Sequence, residues 1–158
     1  MSFVKRGLRI IALADTVDVH ARDQRIFDQN EGLTDEVVEA ALVRATERIQ
    51  TRIKDSDWYR AQYSVPVPDV ELSRIRARQN DFTDLCVYQA LAEFILPQYA
   101  DFDSEDESER NKMSYYTTKA NALFEELIQA GDWYDFSDTG TIRVSDIKPG
   151  TNQRRRVR

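Results

Sequence analysis

Cysteine and histidine are almost missing from this chain of 158 residues, with Cys86 and His20 the sole examples. A single cysteine excludes an intramolecular disulfide and a cysteine-based zinc site. A single histidine leaves any His-rich metal centre, and most triad chemistry, resting on one side chain. The five glycines stand apart at 7, 32, 131, 140 and 150, so no glycine-rich phosphate loop can be assembled. Long apolar runs are lacking too. The longest, residues 10–14, holds five residues against the roughly 20 that span a bilayer. Lys5 and Arg6 before it resemble the start of a secretion signal, but Asp15 and Asp18 interrupt too early, which points to a cytosolic protein. No membrane contact and no cofactor are expected, and the want of a convergent polar set argues against an enzyme.

What is present is a core-forming share of apolar residues, 41 %, and a charged share of 32 %, enough for one domain. The net charge of −6 is unevenly distributed. Arg154, Arg155, Arg156 and Arg158 crowd the end of the chain; without them 18 basic face 28 acidic residues, a body at −10. Such a body repels a polyanion. The basic tail could touch phosphate or an acidic surface on a neighbouring subunit, or serve only as a solvated end. Residues 101–109 hold six acids and two serines and read as a loop between helices.

Residues 1–33 show no helical period. Leu8, Ile10 and Ile11 suggest a short extended segment, and the rest reads as an extended arm reaching toward a neighbour, because a structureless stretch of this length is unusual inside a compact domain. A helix is predicted over 34–54, capped by Thr34 with Asp35 and Glu36 in its first turn. Val38, Leu42, Ala45, Ile49 and Ile53 form its apolar stripe. Trp58, Tyr59 and Tyr63 follow, and Pro66 and Pro68 impose an extended approach. Residues 70–80 fit either a helix capped by Asp69 or a strand, since Arg74, Arg76 and Arg78 alternate with Ile75 and Ala77. A central helix is predicted over 81–96, apolar on Leu85, Tyr88, Leu91, Ala92 and Ile95 and ended by Pro97. A third runs over 108–130 with Gly131 as its C-cap. Beyond it, Gly140 marks a tight turn and 141–144 reads as a short strand. The expected fold is mainly α: a bundle of three to four helices (34–131), preceded by the arm (1–33) and followed by a short β-hairpin and basic tail (132–158).

One segment resembles a calcium loop. Asp135, Ser137 and Thr139 fall at positions 1, 3 and 5, Gly140 at 6 and Asp146 at 12. Ser137 and Thr139 replace carboxylates, Arg143 places a cation at position 9, and Asp146 is shorter than the usual Glu. The alternative is a turn of the same shape without metal. His20, among Asp18, Arg22 and Asp23, fits an exposed histidine better than a general base, having no identifiable nucleophile. Cys86, between Leu85 and Val87, fits a buried small hydrophobe rather than a thiolate. Arg74, Arg76 and Arg78 could contact phosphate or pair with acids. The aromatic groups around Trp58 and Trp133 fit the closed ends of a small helical core, and are also residue types enriched in interfaces.

Taken in order, Leu33, Thr34, Asp35 and Glu36 leading into Ala41, Leu42, Ala45 and Ile49, the Pro66–Pro68 approach, Asp84-Leu85-Cys86 with Tyr88, the acidic loop, and Leu127-Ile128 before Gly131 resemble the head–tail connector (adaptor) proteins of tailed bacteriophages. The resemblance covers residues 33–131. It implies a non-enzymatic virion protein at the head–tail junction, made in the host cytoplasm. It also implies a ring, commonly of twelve copies, docked between the portal protein and the tail or neck proteins, with DNA passing through. An acid-lined pore that must not hold DNA suits the body charge, and the N-terminal arm and the arginine tail become the contacts to other virion proteins. Two other classes stay open: a divalent-metal-binding module built on Asp135, Ser137, Thr139 and Asp146, and a DNA-binding regulator using Arg74, Arg76, Arg78 and the tail.

Overall fold

A computed structural model describes residues 3–99 and 108–149 of the chain. The acidic stretch 101–107 and the four terminal arginines lie outside the described residues.

Helices build the core in the predicted order. Helix α3 (Asp35–Asp55) starts at Thr34, whose hydroxyl accepts the Val37 N–H. Its stripe of Val38, Leu42, Ala45, Ile49 and Ile53 is wholly buried. Each fully buried Leu or Ile contributes about 1.5–3 kcal/mol of transfer free energy. After the single-turn helix α4 (Asp57–Arg60), helix α5 (Gln79–Ala90) packs between α3 and α7 (Ser108–Ala130), and its run of buried residues from Leu85 to Ala90 suits that central place. The helical path does not stop at Pro97. A π-helical turn (Leu91–Ile95) leads into α6 (Leu96–Tyr99), whose first turn contains Pro97. A proline there needs no amide hydrogen, and the widened turn before it lets the chain continue.

Residues 3–30 depart most from expectation. In place of an extended arm, strands β1 (Val4–Arg6) and β2 (Arg9–Ala12) form an antiparallel hairpin turning at Gly7 and Leu8. Helices α1 (Thr16–Arg22) and α2 (Gln24–Gln29) follow. Ala12, Leu13 and Ala14 are inaccessible, and Val19 and Ile26 are buried with them. Thr46 of α3 accepts the Leu13 N–H at 3.1 Å, and Thr83 of α5 donates to the Leu13 carbonyl at 2.8 Å. Both backbone groups of a dry residue are thus satisfied by side chains. Asp15 and Asp18 form a reciprocal cap on α1, and Lys112 of α7 reaches the buried Asp23 at 3.1 Å. The arm is folded because the end of its apolar run, Ala12 to Ala14, is buried against α3 and α5, with Ile10 and Ile11 half-buried before it.

Residues 70–80 are neither full helix nor full strand. A 3₁₀ turn (Leu72–Arg74) leads to an isolated antiparallel bridge between Ile75 and Tyr134, and α5 begins at Gln79. The predicted strand at 141–144 is also replaced: Val144 begins a 3₁₀ turn (Val144–Asp146) and is 88 % exposed. No strand among the described residues pairs with it, because carboxylates described below curl this segment into a loop. The hairpin of the fold is N-terminal. Buried residues from Phe3 to Tyr134 form one apolar core, and no helix among the described residues is long and apolar enough to cross a membrane.

Candidate functional site

The C-terminal segment after α7 is folded by its own acids. Gly131 ends α7 with φ +58°, a left-handed geometry that favours glycine. A second demand falls on it: a Cβ there would lie 1.8 Å from the Lys148 carbonyl oxygen. That close approach lets the Lys148 N–H bond to the Gly131 carbonyl at 2.8 Å, while the Trp58 indole donates to the Lys148 carbonyl.

Within the loop, Asp135 is fully buried. Its carboxylate accepts the Thr139 and Gly140 N–H groups at 3.1 and 2.8 Å, and Arg76 at 3.4 Å. Asp146, 1 % exposed, accepts the Ser137 and Arg143 N–H groups, both at 2.9 Å. The Ser137 hydroxyl lies between the two, 3.4 Å from Asp135 and 3.1 Å from Asp146. Burial pushes both carboxyls up, but the hydrogen bonds they accept outweigh it and hold each below the ordinary aspartate range. Of the four calcium-loop positions, Asp135, Ser137 and Asp146 are brought together, whereas Thr139 turns its hydroxyl to the Thr141 carbonyl at 3.1 Å. The residues do not fit a hard cation. The carboxylate oxygens are already taken by backbone N–H, a serine hydroxyl stands between them, and an arginine adjoins. Among the described residues no three His, Cys, Asp or Glu side chains converge as a metal site.

The three alternating arginines complete this arrangement. Arg74 reaches Asp138 at 3.4 Å, Arg76 reaches Asp135 at 3.4 Å, and Arg78 grips Asp132 through Nε and Nη2 at 2.6 and 3.0 Å. Paired in antiparallel order, they fasten the C-terminal segment beside the Ile75–Tyr134 bridge. Asp132 is held below its ordinary range by the hydrogen bond from Arg78. Asp132, Asp135 and Asp138 recur every third residue, a complementary spacing that sequence reasoning missed.

The aromatic groups also meet. Trp58 stands 4.9 Å from Trp133 and 5.4 Å from Phe136, and Tyr59 stands 5.7 Å from Tyr134. Phe82 of α5 stacks edge-on against Trp133 at 4.6 Å. Every polar handle in this cluster is engaged: Tyr59 donates to the Pro68 carbonyl, Trp133 to the Leu127 carbonyl, and Tyr134 accepts the Glu71 N–H. One continuous aromatic body seals one end of the core, instead of two groups closing separate ends.

His20 is partly buried and stacks on Phe27 at 3.6 Å; its ring nitrogens are engaged by Gln24 at 3.1 Å and Asp35 at 3.2 Å. No hydroxyl or thiol is among those partners, so the ring joins α1, α2 and the start of α3. Cys86 is buried, with Thr46 Oγ1 at 3.4 Å. Burial pushes its thiol up to about 11, which removes thiolate chemistry at neutral pH. No family model, curated protein or solved structure matches the chain.

Proposed function

We propose that this chain is a structural subunit of a phage head–tail connector, acting through assembly and not through catalysis. The observation that carries the reading is the order of its parts: a capped helix, a Pro-x-Pro approach, a central helix with Asp84, Leu85, Cys86 and Tyr88, an acidic connection and a last helix closed by Gly131. The polar chemistry of the fold supports it. Thr46, Thr83, Asp23, Asp135 and Asp146 are each spent on backbone or ion-pair duties inside the fold. With residues 3–30 folded onto the core, contacts to neighbours fall to surface features and to the terminal arginines. A ring of a body at −10 would give DNA an acidic channel that passes it without adhesion.

Two other readings have less support. A metal module would need to strip the Asp135 and Asp146 carboxylates of their N–H donors. A DNA regulator reading through Arg74, Arg76 and Arg78 would need to release three acids of the same chain. Negative-stain microscopy of the concentrated chain, alone and with virion extract, tests the reading. Rings with a channel of about 20 Å or more, wide enough for duplex DNA, are expected; a chain that joins no particle and forms no ring overturns it.

A further inference from the structure

The tip of the β1–β2 hairpin is unusual on so acidic a protein. Leu8 at the turn is 102 % exposed, and Lys5, Arg6 and Arg9 around it are exposed as well. None of the three cations has an ion-pair partner among the described residues. An apolar side chain held in water amid unpaired cations calls for an apolar, acid-rimmed partner.

The same molecule carries that complement elsewhere. A shallow cleft of about 460 Å³ lies where the end of α3 meets α7. Trp58, Phe124 and Ile128, themselves 3, 7 and 9 % exposed, form its narrow apolar floor; Asp55, Asp57 and Glu125 stand exposed around it. Asp55 and Asp57 have no ion-pair partner among the described residues. Among the described lining residues the one cation is Arg52, held by the neutral Gln89 at 3.0 Å, Asn121 at 3.2 Å and the Phe124 ring at 4.2 Å; its charge offsets part of that of Glu125 and leaves Asp55 and Asp57 as the uncompensated acids.

The two features cannot meet within one molecule. The hairpin lies along α3 beside Val43, Glu47 and Gln50. At about 100° per residue, Arg52 and Asp55 fall roughly 120–180° further round that helix. A tip on one flank and its complement on the opposite flank describe a head-to-tail contact, the kind that closes into a ring when the rotation permits.

We propose that the hairpin tip of one copy docks into the Asp55–Asp57–Glu125 cleft of a second copy, with Leu8 on the apolar floor and Lys5, Arg6 and Arg9 facing the three acids. The proposal rests on the ring reading above and names the surface that builds the ring. Both patches lie on the surface, so charge reversal there leaves the core intact, which circular dichroism melting verifies.

Light scattering on the full chain provides the test. The wild-type chain is expected to associate with increasing concentration and to dissociate with added salt. K5E/R6E/R9E and D55K/D57K/E125K should each weaken association by on the order of a hundredfold or more, since like charges then face each other. Mixed in equal amounts, the two reversed chains should associate again as alternating heteromers. Failure of that mixture to associate, or a wild-type chain that stays monomeric at every concentration, overturns the contact. Rings that survive both reversals overturn this contact while leaving the ring reading intact. If K5E/R6E/R9E loses duplex DNA retention and keeps its self-association, the tip is a nucleic-acid contact and the proposal falls.

Discussion

Replacing Thr46 by valine isolates the hydrogen bond that joins the N-terminal segment to the core. Valine matches threonine in shape, so packing is preserved. Three hydrogen bonds vanish: from the hydroxyl to the Leu42 carbonyl at 2.8 Å, from the Leu13 N–H at 3.1 Å, and the weaker contact with the Cys86 thiol at 3.4 Å. The Leu42 carbonyl keeps its helical role, but the Leu13 N–H is left dry, because Leu13 is inaccessible and Thr46 only 1 % exposed. A buried donor without a partner costs about 1–3 kcal/mol. At roughly 2–4 °C per kcal/mol for a chain of this size, Tm should fall by about 2–12 °C. Thr46→Ser is the control. It keeps the hydroxyl and loses one methyl, worth about 0.8 kcal/mol, and should melt above the valine variant. Hydrogen exchange at the Leu13 amide should accelerate in Thr46→Val and stay slow in Thr46→Ser. A valine variant melting at or above the serine variant, with Leu13 still protected, refutes the account of how this segment is held.

Other expectations follow from the same contacts. Gly131→Ala combines a left-handed backbone with a 1.8 Å clash against the Lys148 carbonyl; it should cost more than the ~1–2 kcal/mol of the conformation alone, read by denaturant melting, with a larger indole emission change than an unrelated surface variant. Asp135 and Asp146 titrate below their unfolded value of about 3.9, so their stabilisation is complete above that value and is lost as pH falls through the folded one. Melting scans from pH 7 to 2.5 should show a steep acid limb, and Asp146→Asn should lower Tm at pH 7 and flatten that limb. Arg78→Ala removes a partly exposed fork to Asp132 and should cost no more than about 1 kcal/mol, diminishing in high salt. Deleting residues 1–15, harmless for a free arm, should expose the Thr46–Thr83 seam and abolish cooperative melting.

The long helices were legible because each carries a stripe sustained over several turns. Thr34 with Asp35 and Glu36, and Gly131 after Ile128, mark helix ends by chemistry that tertiary contacts reinforce. The N-terminal helices were not legible for the opposite reason. At seven and six residues, α1 and α2 are too short to display a period, and each buries little besides Val19 or Ile26. Their order comes from partners such as Asp84 to Arg22, Asp35 to His20 and Lys112 to Asp23, which adjacent sequence does not reveal. Pro97 misled because a proline is admitted in the first turn of a new helix. In the candidate loop, the calcium-like spacing was visible and its meaning was not. Aspartates at Asp135 and Asp146 wrap a turn around themselves through backbone N–H groups as readily as they wrap a cation. The decisive neighbour, Arg76, lies 59 residues away.

The function proposed for this chain gives it a place in an assembled particle. Immunogold labelling of tailed particles with an antibody against this chain tests it most directly. Label confined to the junction between head and tail is the expected result. Label absent from intact particles, or spread over the capsid or along the tail, would contradict it.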